Sequence, residues 1–362
     1  MAEYLLSKGA NPNACCHNGD TPLHIALRRS LLKKGGDGQK PISRYALPDY
    51  DEWTDNRWHV ELSADYITDY EGEDVRDIYQ YIGEERLAVI NTLLASTGIN
   101  VNIQNIEHGS PLHMLKYDDC NADIIVCKLL ELGADIFARY NGDQTALHLA
   151  CKSGASTIAC DFLDRGCSIE TTDLQGLNAL HYAVRANRYD TVRMVLDRDE
   201  QLAQHLCRDV DTRGRPLMHH HLEVAGCSIE MITVLLFYGA RLNDADQDGN
   251  TPLSLHFQRS KWAGQAEICR FLLGHGADAL WRSPTGQNLA HRAMCKPMAD
   301  PCVLEALSNH GVDVAAKDTS GKSILHYGYG GAIHGSLSKE ILNFIQRNNL
   351  LHLTDEDAQG KT

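Results

Sequence analysis

A glycine-marked repeat is the feature that most constrains this chain. Nine glycines divide the 362 residues at intervals of 33 to 39 residues, after one first interval of 90. They are Gly19, Gly109, Gly142, Gly176, Gly214, Gly249, Gly286, Gly321 and Gly360. Self-similarity at such a period is typical of stacked helical repeats, which bury their core between neighbouring units. The repeat therefore directs the search for function toward a binding surface rather than a single catalytic pocket.

Each repeat carries the start and stop signals of two helices. Thr21-Pro22 and Thr251-Pro252 are helix starts, because a threonine hydroxyl accepts from free backbone N–H groups and proline fits the first turn. A second apolar segment then ends at a glycine, as at Gly133, where glycine supplies the left-handed residue that closes a helix. The signals predict a helix, a turn, an antiparallel helix and a protruding hairpin-like loop.

This pattern resembles the ankyrin repeat, and residues 9–13, 173–183 and 246–253 carry the match most clearly. The resemblance implies an all-α solenoid of stacked helix-turn-helix units with protruding loops and one long insertion. The irregular repeats are similar to the long ankyrin arrays of filamentous fungi. Residues 213–219 and 284–291 lack the Thr-Pro pair, and residues 197–199 stand where a closing Gly-Ala-Asp is expected.

The repeat boundaries predict one array over residues 1–362. Complete repeats are expected at about 106–138, 139–172, 173–210, 211–245, 246–282, 283–317 and 318–356. A repeat at 18–105 contains the insertion at about 29–83, and partial repeats at 1–17 and 357–362 flank the array. Because neither end offers a full polar cap, we expect a piece of a longer protein or a truncated gene model.

The insertion is both acidic and aromatic. Residues 49–85 hold 13 acidic and two basic side chains, which supply −11 of the net charge of −14. Since disordered segments usually lack aromatic residues, we expect Trp53, Trp58, Tyr66 and Tyr70 to dock on the solenoid. Three interpretations stay open: padding of a loop between helices, an element that binds basic partner segments, and a regulatory tyrosine site.

Composition argues against several classes of protein. The chain has no apolar run long enough to cross a membrane, and its first residues do not form a signal peptide. No long basic face suits nucleic acid. The 12 cysteines lack the spacing of a disulfide framework and mostly fall within helix patterns. We therefore expect a cytoplasmic or nuclear chain that is a monomer or part of a longer one.

Histidine recurs at one position of the repeat. The resemblance implies that this histidine bonds to the adjacent loop and holds neighbouring repeats in register, a structural role for His24, His113, His148, His181, His219, His291 and His326. His220 and His221, with Glu223 and Cys227 nearby, leave metal binding as an alternative, although we expect no metal site. Residues 320–323 and 359–362 imitate a nucleotide loop but lack its earlier glycine, so we expect no cofactor.

Partners of ankyrin arrays usually dock on the loop tips and on the exposed side of the first helices, which together form a concave groove. Carried over by position, the candidate partner-binding residues are Tyr140, Asn141, Asp143, Leu174, Gln175, Leu177, Thr212, Arg213, Arg215, Gln247, Asp248, Asn250, Thr285, Gln287, Thr319 and Lys322. Tyr140, Arg213 and Arg215 are the strongest, because tyrosine and arginine dominate interface energetics. Leu174 and Leu177 are apolar at positions expected to face water.

The sequence thus predicts a protein-interaction scaffold without catalysis, whose protein partner is not identified. An alternative is the recruiting or regulatory arm of a larger enzyme or NTPase whose catalytic domain lies outside this chain. An intrinsic hydrolase or transferase is a third hypothesis. It would need a cleft with a perturbed titratable cluster or a nucleophile motif, and the sequence offers no candidate for either.

Overall fold

All the regular elements in the described residues are helices. The computed structural model describes residues 2–28, 86–224, 226–259, 265–295, 300–331 and 339–348. Within them, strand-like pairing is limited to isolated antiparallel bridges at the bases of three loops: Tyr140 with Gln144, Val210 with Pro216, and Arg282 with Asn288. The predicted all-α class is confirmed. The insertion predicted at about 29–83 and the partial repeat at 357–362 lie outside the described residues.

The chain divides into two compact units, Met1–Leu174 and Gln175–Thr362, here called unit 1 and unit 2. The helices of unit 1 are α1 (Ala2–Ser7), α2 (Pro22–Arg28), α3 (86–94), α4 (Pro111–Met114), α5 (Ala122–Glu131), α6 (Ala146–Ser153) and α7 (Ser156–Asp164). First helices pack on first helices, since α4 contacts both α2 and α6, and the second helix α5 packs on α7. Leu23, Leu129, Leu147 and Phe162 are fully buried between these layers.

Unit 2 repeats the same two layers. Its helices are α8 (Ala179–Arg185), α9 (Tyr189–Leu196), α10 (Glu200–Arg208), α11 (Leu217–Glu223), α12 (Ile229–Phe237), α13 (Pro252–Arg259), α14 (Gln265–Gly274), α15 (Leu289–Met294), α16 (Pro301–Asn309), α17 (Ile324–Gly331) and α18 (Lys339–Arg347). The first helices α8, α11, α13, α15 and α17 contact one another in chain order. Of the second helices, α9 contacts α12, and α16 contacts both α14 and α18.

Six of the described first helices, α2, α4, α6, α8, α15 and α17, begin at a cap in which histidine takes the place of the usual acidic residue. The exceptions are α11, which follows Pro216, and α13, which has Ser254 at that position. At Ser110 and Thr145, the backbone N–H of the cap residue donates to Nδ1 of the histidine three residues later, over 3.3 and 3.1 Å. The hydroxyls of the same two caps lie 2.8 Å from that nitrogen. This reciprocal arrangement occupies backbone donors that a helix N-terminus leaves free. It also turns the opposite ring nitrogen, Nε2, away from the helix.

That second nitrogen reaches the backbone of the following repeat. Nε2 lies 2.9–3.2 Å from a main-chain carbonyl oxygen in four cases: His24 with Gly109, His113 with Ala138, His219 with Asn250, and His291 with Lys322. His24, His113 and His291 therefore join a helix cap in one repeat to a loop in the next. His219 bonds to the loop alone, because its cap residue Pro216 has no N–H. Because the rings are buried or nearly so, these bonds act where water does not compete.

Helix α10 has no counterpart in the described parts of the other repeats. It begins at Asp199, whose Oδ1 accepts from the backbone N–H groups of Gln201 and Leu202 at 2.9 and 3.0 Å. Ala203, Leu206 and Cys207 form its buried face, and α10 contacts both α9 and α11. Where the sequence lacks the closing Gly-Ala-Asp, the chain forms an additional capped helix.

At two loop tips a residue other than glycine is left-handed. Gly109 was expected to supply the turn before α4, but His108 is the left-handed residue there, with φ 62°. Before α6, the marker glycine Gly142 is left-handed with φ 78°, and Asp143 after it is left-handed too, with φ 66°. His108 and Asp143 occupy the place that Gly249 and Gly321 occupy in their own tips, so the marker glycine is displaced from that place in both.

Alanine replacements of two tip glycines should separate backbone strain from steric crowding. Gly176 and Gly249 have nearly equal φ values of 77° and 76°. A Cβ atom at Gly176 would lie 2.9 Å from the backbone nitrogen of Thr212, whereas a Cβ atom at Gly249 would meet nothing within 4 Å. We expect Gly249→Ala to cost about 1–2 kcal/mol of stability for the left-handed backbone. Crowding should cost Gly176→Ala a further ~1–3 kcal/mol. Urea unfolding of both variants tests this, and equal losses would contradict it.

Candidate functional site

A backbone ladder holds the loop tips of unit 1 in a row. The N–H of Ile106 donates to the carbonyl of Asn18 at 3.1 Å, the N–H of Asn141 to that of Glu107 at 3.3 Å, and the N–H of Leu174 to that of Gly142 at 2.9 Å. Each tip thus donates one hydrogen bond to the tip before it. Because the main chain makes these bonds, the side chains at the tips are left for other contacts.

A ladder of the same kind joins tips in unit 2, except at the tip 283–287, where Pro284 stands at the ladder position and has no N–H to donate. The N–H groups of Thr212, Gln247 and Thr319 donate at 3.0–3.1 Å to the carbonyls of Gln175, Arg213 and Thr285. We call the loop residues 16–20, 105–109, 140–144 and 173–174 the tip row of unit 1. The loop residues 175–177, 211–215, 246–250, 283–287 and 318–322 are the tip row of unit 2. Each row is a fixed line of loops, and its side chains are the candidate site.

A buried side chain at the start of each of four loops sets the shape of the tip. One Oδ1 atom accepts from two backbone N–H groups, two and four residues further on, at 2.7–3.0 Å. This holds for Asn105, Asp211, Asp246 and Asp318. Such turns are a known use of aspartate and asparagine side chains. The tips are therefore preorganised, which reduces the entropy lost when a partner binds.

Most of the predicted partner-binding residues are exposed in these rows. The exposed ones are Asn141, Asp143, Leu174, Gln175, Thr212, Arg213, Gln247, Asp248, Thr285 and Thr319. Leu174 is the most prominent apolar side chain among them, with 71% of its surface exposed. The ladder brings neighbouring members of this set together within each unit.

Two residues predicted to face water are buried instead. Leu177 is in the core beside the start of α8, so the expectation that it contacts a partner was wrong. It follows the turn glycine Gly176 directly, and the chain has already turned inward there. Asn250 is also buried, and its N–H and side-chain amide both bond to Asp246. Both residues belong to the base of a tip and not to its surface.

Arg215 is part of a buried ion-pair network, contrary to the expectation of a solvent-facing tip. Its guanidinium lies 2.8 Å from Asp211 and 2.9 Å from Glu223, and all three side chains are largely shielded from solvent. His220 Nε2 is 3.1 Å from Asp211 Oδ2. Burial alone would raise the pKa of Asp211, but the contacts with His220 and Arg215 outweigh it and hold that pKa well below its usual range.

Tyr140, Gln287 and Lys322 are half-buried rather than fully exposed. The Tyr140 hydroxyl donates to Glu107 at 3.2 Å, and its ring centroid is 5.5 Å from that of His113. Burial and the Glu107 carboxylate raise the pKa of Tyr140. Gln287 donates to the hydroxyl of Tyr327 at 2.7 Å. Tyr140 is therefore partly exposed to a partner while it contacts the neighbouring tip through Glu107, and Gln287 is tied to α17.

Ile106 is an exposed tip residue that the sequence analysis missed. Its side chain is 67% exposed and lies in the ladder position that Leu174 occupies two tips later. The predicted partner-binding residues began at the tip of Gly142, so the earlier tip that carries Ile106 was left out. Trp53, Trp58, Tyr66 and Tyr70 lie outside the described residues, so the role of the insertion stays a prediction.

Burial keeps many histidines in the neutral form. It lowers the pKa of His24, His219, His220, His221 and His291. It lowers the pKa of His113 to about 4 and that of His181 to about 3. His221 Nε2 receives the N–H of Ser228 at 2.9 Å and is thereby part of the core. Among the described residues, no group of three or more His, Cys, Asp or Glu side chains is arranged to hold a metal ion.

Two further properties concern the chain as a whole. All twelve cysteines are free thiols. Within the described ranges, no helix has both the length and the apolar character needed to cross a membrane.

Comparison with known proteins places the repeats in a family. Residues 112–205 match a family model described as ankyrin repeats in three copies, and residues 1–30 match one described as ankyrin repeats in many copies. The chain is similar to the B-cell lymphoma 3 protein homolog of Mus musculus, with 28% identity over 183 residues. It is also similar to the phosphocholine transferase AnkX of Legionella pneumophila, with 27% identity over 214 residues. A third relative is the palmitoyltransferase AKR1 of Lachancea kluyveri, with 28% identity over 209 residues.

These relatives share only part of their length with the chain. The aligned residues are 49% of this chain and 38% of the mouse protein. For AnkX they are 56% of this chain and 22% of the relative, and for AKR1 they are 56% and 27%. The chain therefore spans well under half of each of these three relatives.

Proposed function

Since this chain belongs to the ankyrin-repeat family, whose repeats generally mediate protein–protein interaction, we propose that it is a protein-binding scaffold without chemistry of its own. The partner docks on the tip rows and on the adjoining face of the first helices, which form the walls of a groove. Ankyrin-repeat domains are typically non-catalytic. The partner itself is identified only as a protein.

The observation that carries this proposal is the exposure of apolar side chains on a rigid edge. Ile106 and Leu174 project from the tip row of unit 1 although the ladder fixes their backbone. Exposed apolar groups on a preorganised surface favour binding, because their burial releases water and little conformational entropy is lost.

The first helices add a second line of half-buried side chains. The residue directly after the repeat histidine is half-buried at Ile25 and Leu149 in unit 1, and at Tyr182, Arg292 and Tyr327 in unit 2. Of these residue types, tyrosine and arginine are enriched at the centres of protein interfaces. They support a contact surface that extends from the tips onto the helices.

Leu174→Asp should weaken partner binding without affecting the fold. Burying an apolar anchor of this size contributes about 2 kcal/mol or more at an interface, so we expect affinity to fall at least about tenfold. The partner is first captured from native lysate on the unchanged chain and identified by mass spectrometry. Its affinity is then measured with both purified proteins, together with the melting temperature of each variant.

Phe237→Asp is the matched control. Phe237 is 80% exposed on α12, away from the tip rows, and receives the same change of apolar side chain to carboxylate. The affinity of the Phe237→Asp variant for the partner should stay within about twofold of that of the unchanged protein. Equal losses of affinity in the two variants, or no loss of affinity in Leu174→Asp, would contradict the assignment of binding to the tips.

The alternative is that the chain is an arm of a larger enzyme, and two relatives support it. AnkX is named as a phosphocholine transferase and AKR1 as a palmitoyltransferase, and each is much longer than the region it shares with this chain. Under this alternative, the tips recruit a substrate for a domain outside the 362 residues. The full open reading frame of the gene distinguishes the two proposals.

We also infer a cytoplasmic or nuclear location. Five of the twelve free thiols are exposed: Cys15, Cys120, Cys127, Cys295 and Cys302. Exposed unpaired thiols persist best in a reducing compartment, which supports this location.

A further inference from the structure

Three asparagines make the same pair of hydrogen bonds to the backbone of the following repeat, and we call each such contact a joint. In each joint the asparagine Nδ2 donates to the carbonyl of the glycine that comes after the second helix of the following repeat. Oδ1 accepts from the backbone N–H two residues beyond that glycine. All six bonds measure 2.7–2.9 Å. The sets are Asn13 with Gly98 and Asn100, Asn102 with Gly133 and Asp135, and Asn243 with Gly276 and Asp278.

The two bonds of a joint require a group that can donate one hydrogen bond and accept another on the same side. A primary carboxamide presents an N–H donor and a carbonyl acceptor on the same side, which matches the adjacent backbone C=O and N–H of the joint. A trans peptide group directs its N–H and C=O in opposite directions and cannot make both bonds. A carboxylate has no proton to give to the carbonyl.

Phe137 stands at this position in the joint that follows Asn102. It lies eight residues before the helix cap Thr145, as Asn102 lies eight residues before the cap Ser110. The corresponding backbone pair is the carbonyl of Gly166 and the N–H of Ser168, and both residues are exposed. Within the described part of the chain, no side chain bonds to either atom. The joint therefore keeps its backbone pair but lacks the carboxamide that fills the three joints of Asn13, Asn102 and Asn243.

A surface depression lies beside this open joint. It has a volume of about 260 Å³ and is lined by Leu130, Ala134, Asp135, Ile136, Phe137 and Arg165. The Phe137 ring is 59% exposed, so it gives the depression an apolar wall open to solvent. Arg165 is held in place by Asp161, whose two carboxylate oxygens both lie 3.0 Å from its Nε.

We propose that this joint of unit 1 binds a primary carboxamide supplied by a partner protein, a glutamine or asparagine side chain next to an apolar residue. The carboxamide bonds to the Gly166 carbonyl and the Ser168 N–H, as the asparagines do in the three sister joints. The apolar neighbour rests in the depression against Phe137 and Leu130. The site uses no tip-row residue, so it is independent of the binding proposed for the tips.

The test is a titration of the full chain with blocked dipeptides, followed by amide NMR shifts. N-acetyl-leucyl-glutamine methylamide should give saturable shifts at Arg165, Gly166 and Ser168, with a dissociation constant on the order of millimolar. The glutamate and methionine analogues match it in size but lack the donor or both polar atoms. They should bind at least about tenfold more weakly, since each loses hydrogen bonds to the backbone. Equal shifts with all three peptides, or none with glutamine, would overturn the proposal.

Phe137→Asn provides an internal competitor. The new asparagine should bond to Gly166 and Ser168, raise the melting temperature and abolish the shifts caused by the glutamine peptide. Leu280→Asn is the matched control, because Leu280 is an exposed apolar residue at the same repeat position in unit 2. It should leave peptide binding at Gly166 unchanged. Phe137→Ala removes the apolar wall without adding a carboxamide, so it should weaken binding. Undiminished binding in both Phe137 variants would refute the assignment.

Discussion

Reversing the charge of Arg215 should destabilise unit 2 by at least about 3–5 kcal/mol, because removing one partner of a buried ion pair leaves uncompensated charge. The variant Arg215→Glu would place a third carboxylate beside Asp211 and Glu223, both of which now bond to the guanidinium. It would also remove the cation that helps keep the pKa of Asp211 low. Hydrogen exchange of the α11 backbone amides measures the loss within unit 2.

Arg213→Glu is the matched control for this prediction. Arg213 is on the same loop, two residues earlier, and its side chain is exposed. Surface substitutions of this kind usually change stability by no more than about 0.5 kcal/mol. Arg215→Glu should therefore lower the stability of unit 2, whereas Arg213→Glu should affect only partner binding. Similar exchange rates in both variants would show that the Arg215 network contributes little.

Acidification should destabilise the protein between pH 6.5 and about 4. Burial lowers the pKa of His113 to about 4 and that of His181 to about 3, whereas an unfolded chain protonates its histidines near 6.5. Between these pKa values the unfolded state binds more protons than the folded state. The contribution of the two histidines to the free energy of unfolding is therefore fully present above pH 6.5, and it is lost as the pH falls toward their folded-state pKa values. At pH 5 the loss is about 2 kcal/mol for each of the two histidines.

A single replacement tests the origin of that loss. His181 is fully buried in α8, and its ring packs edge-on against that of His220, with centroids 5.1 Å apart. The variant His181→Gln should be less stable than the parent at pH 7. Its further loss between pH 7 and pH 5 should be smaller by about 2 kcal/mol, because one protonation has been removed. An unchanged pH dependence in urea unfolding of unit 2 would mean that other groups cause the acid sensitivity.

The helices could be predicted from sequence because their signals are local. Thr145 and the histidine three residues later are enough to start α6, and Gly133 is enough to end the segment containing α5. Recurrence of these signals at a fixed period then gives the stacked arrangement without any knowledge of long-range contacts. The role of the repeat histidine, by contrast, was implied by the resemblance to the ankyrin repeat.

Whether an individual tip side chain is buried or exposed could not be predicted in this way. Leu177 and Leu174 are three residues apart on one loop, yet one is core and the other is among the most exposed apolar residues described. The difference depends on where the backbone enters the left-handed region, and at two other tips a residue other than glycine, His108 or Asp143, also does so. Arg215 was misjudged for a related reason, since its partner Glu223 lies a helix away and no local pattern pairs them.

The histidine bonds between repeats have a consequence for how such an array diversifies. The four accepting residues, Gly109, Ala138, Asn250 and Lys322, have nothing in common as side chains, because each accepts through its main-chain oxygen. A repeat that is duplicated, exchanged or heavily mutated in its loop still presents that oxygen to the preceding imidazole. The loop sequences, and with them the partners that the loops bind, can therefore change during evolution while the hydrogen bond that aligns one repeat with the next is kept.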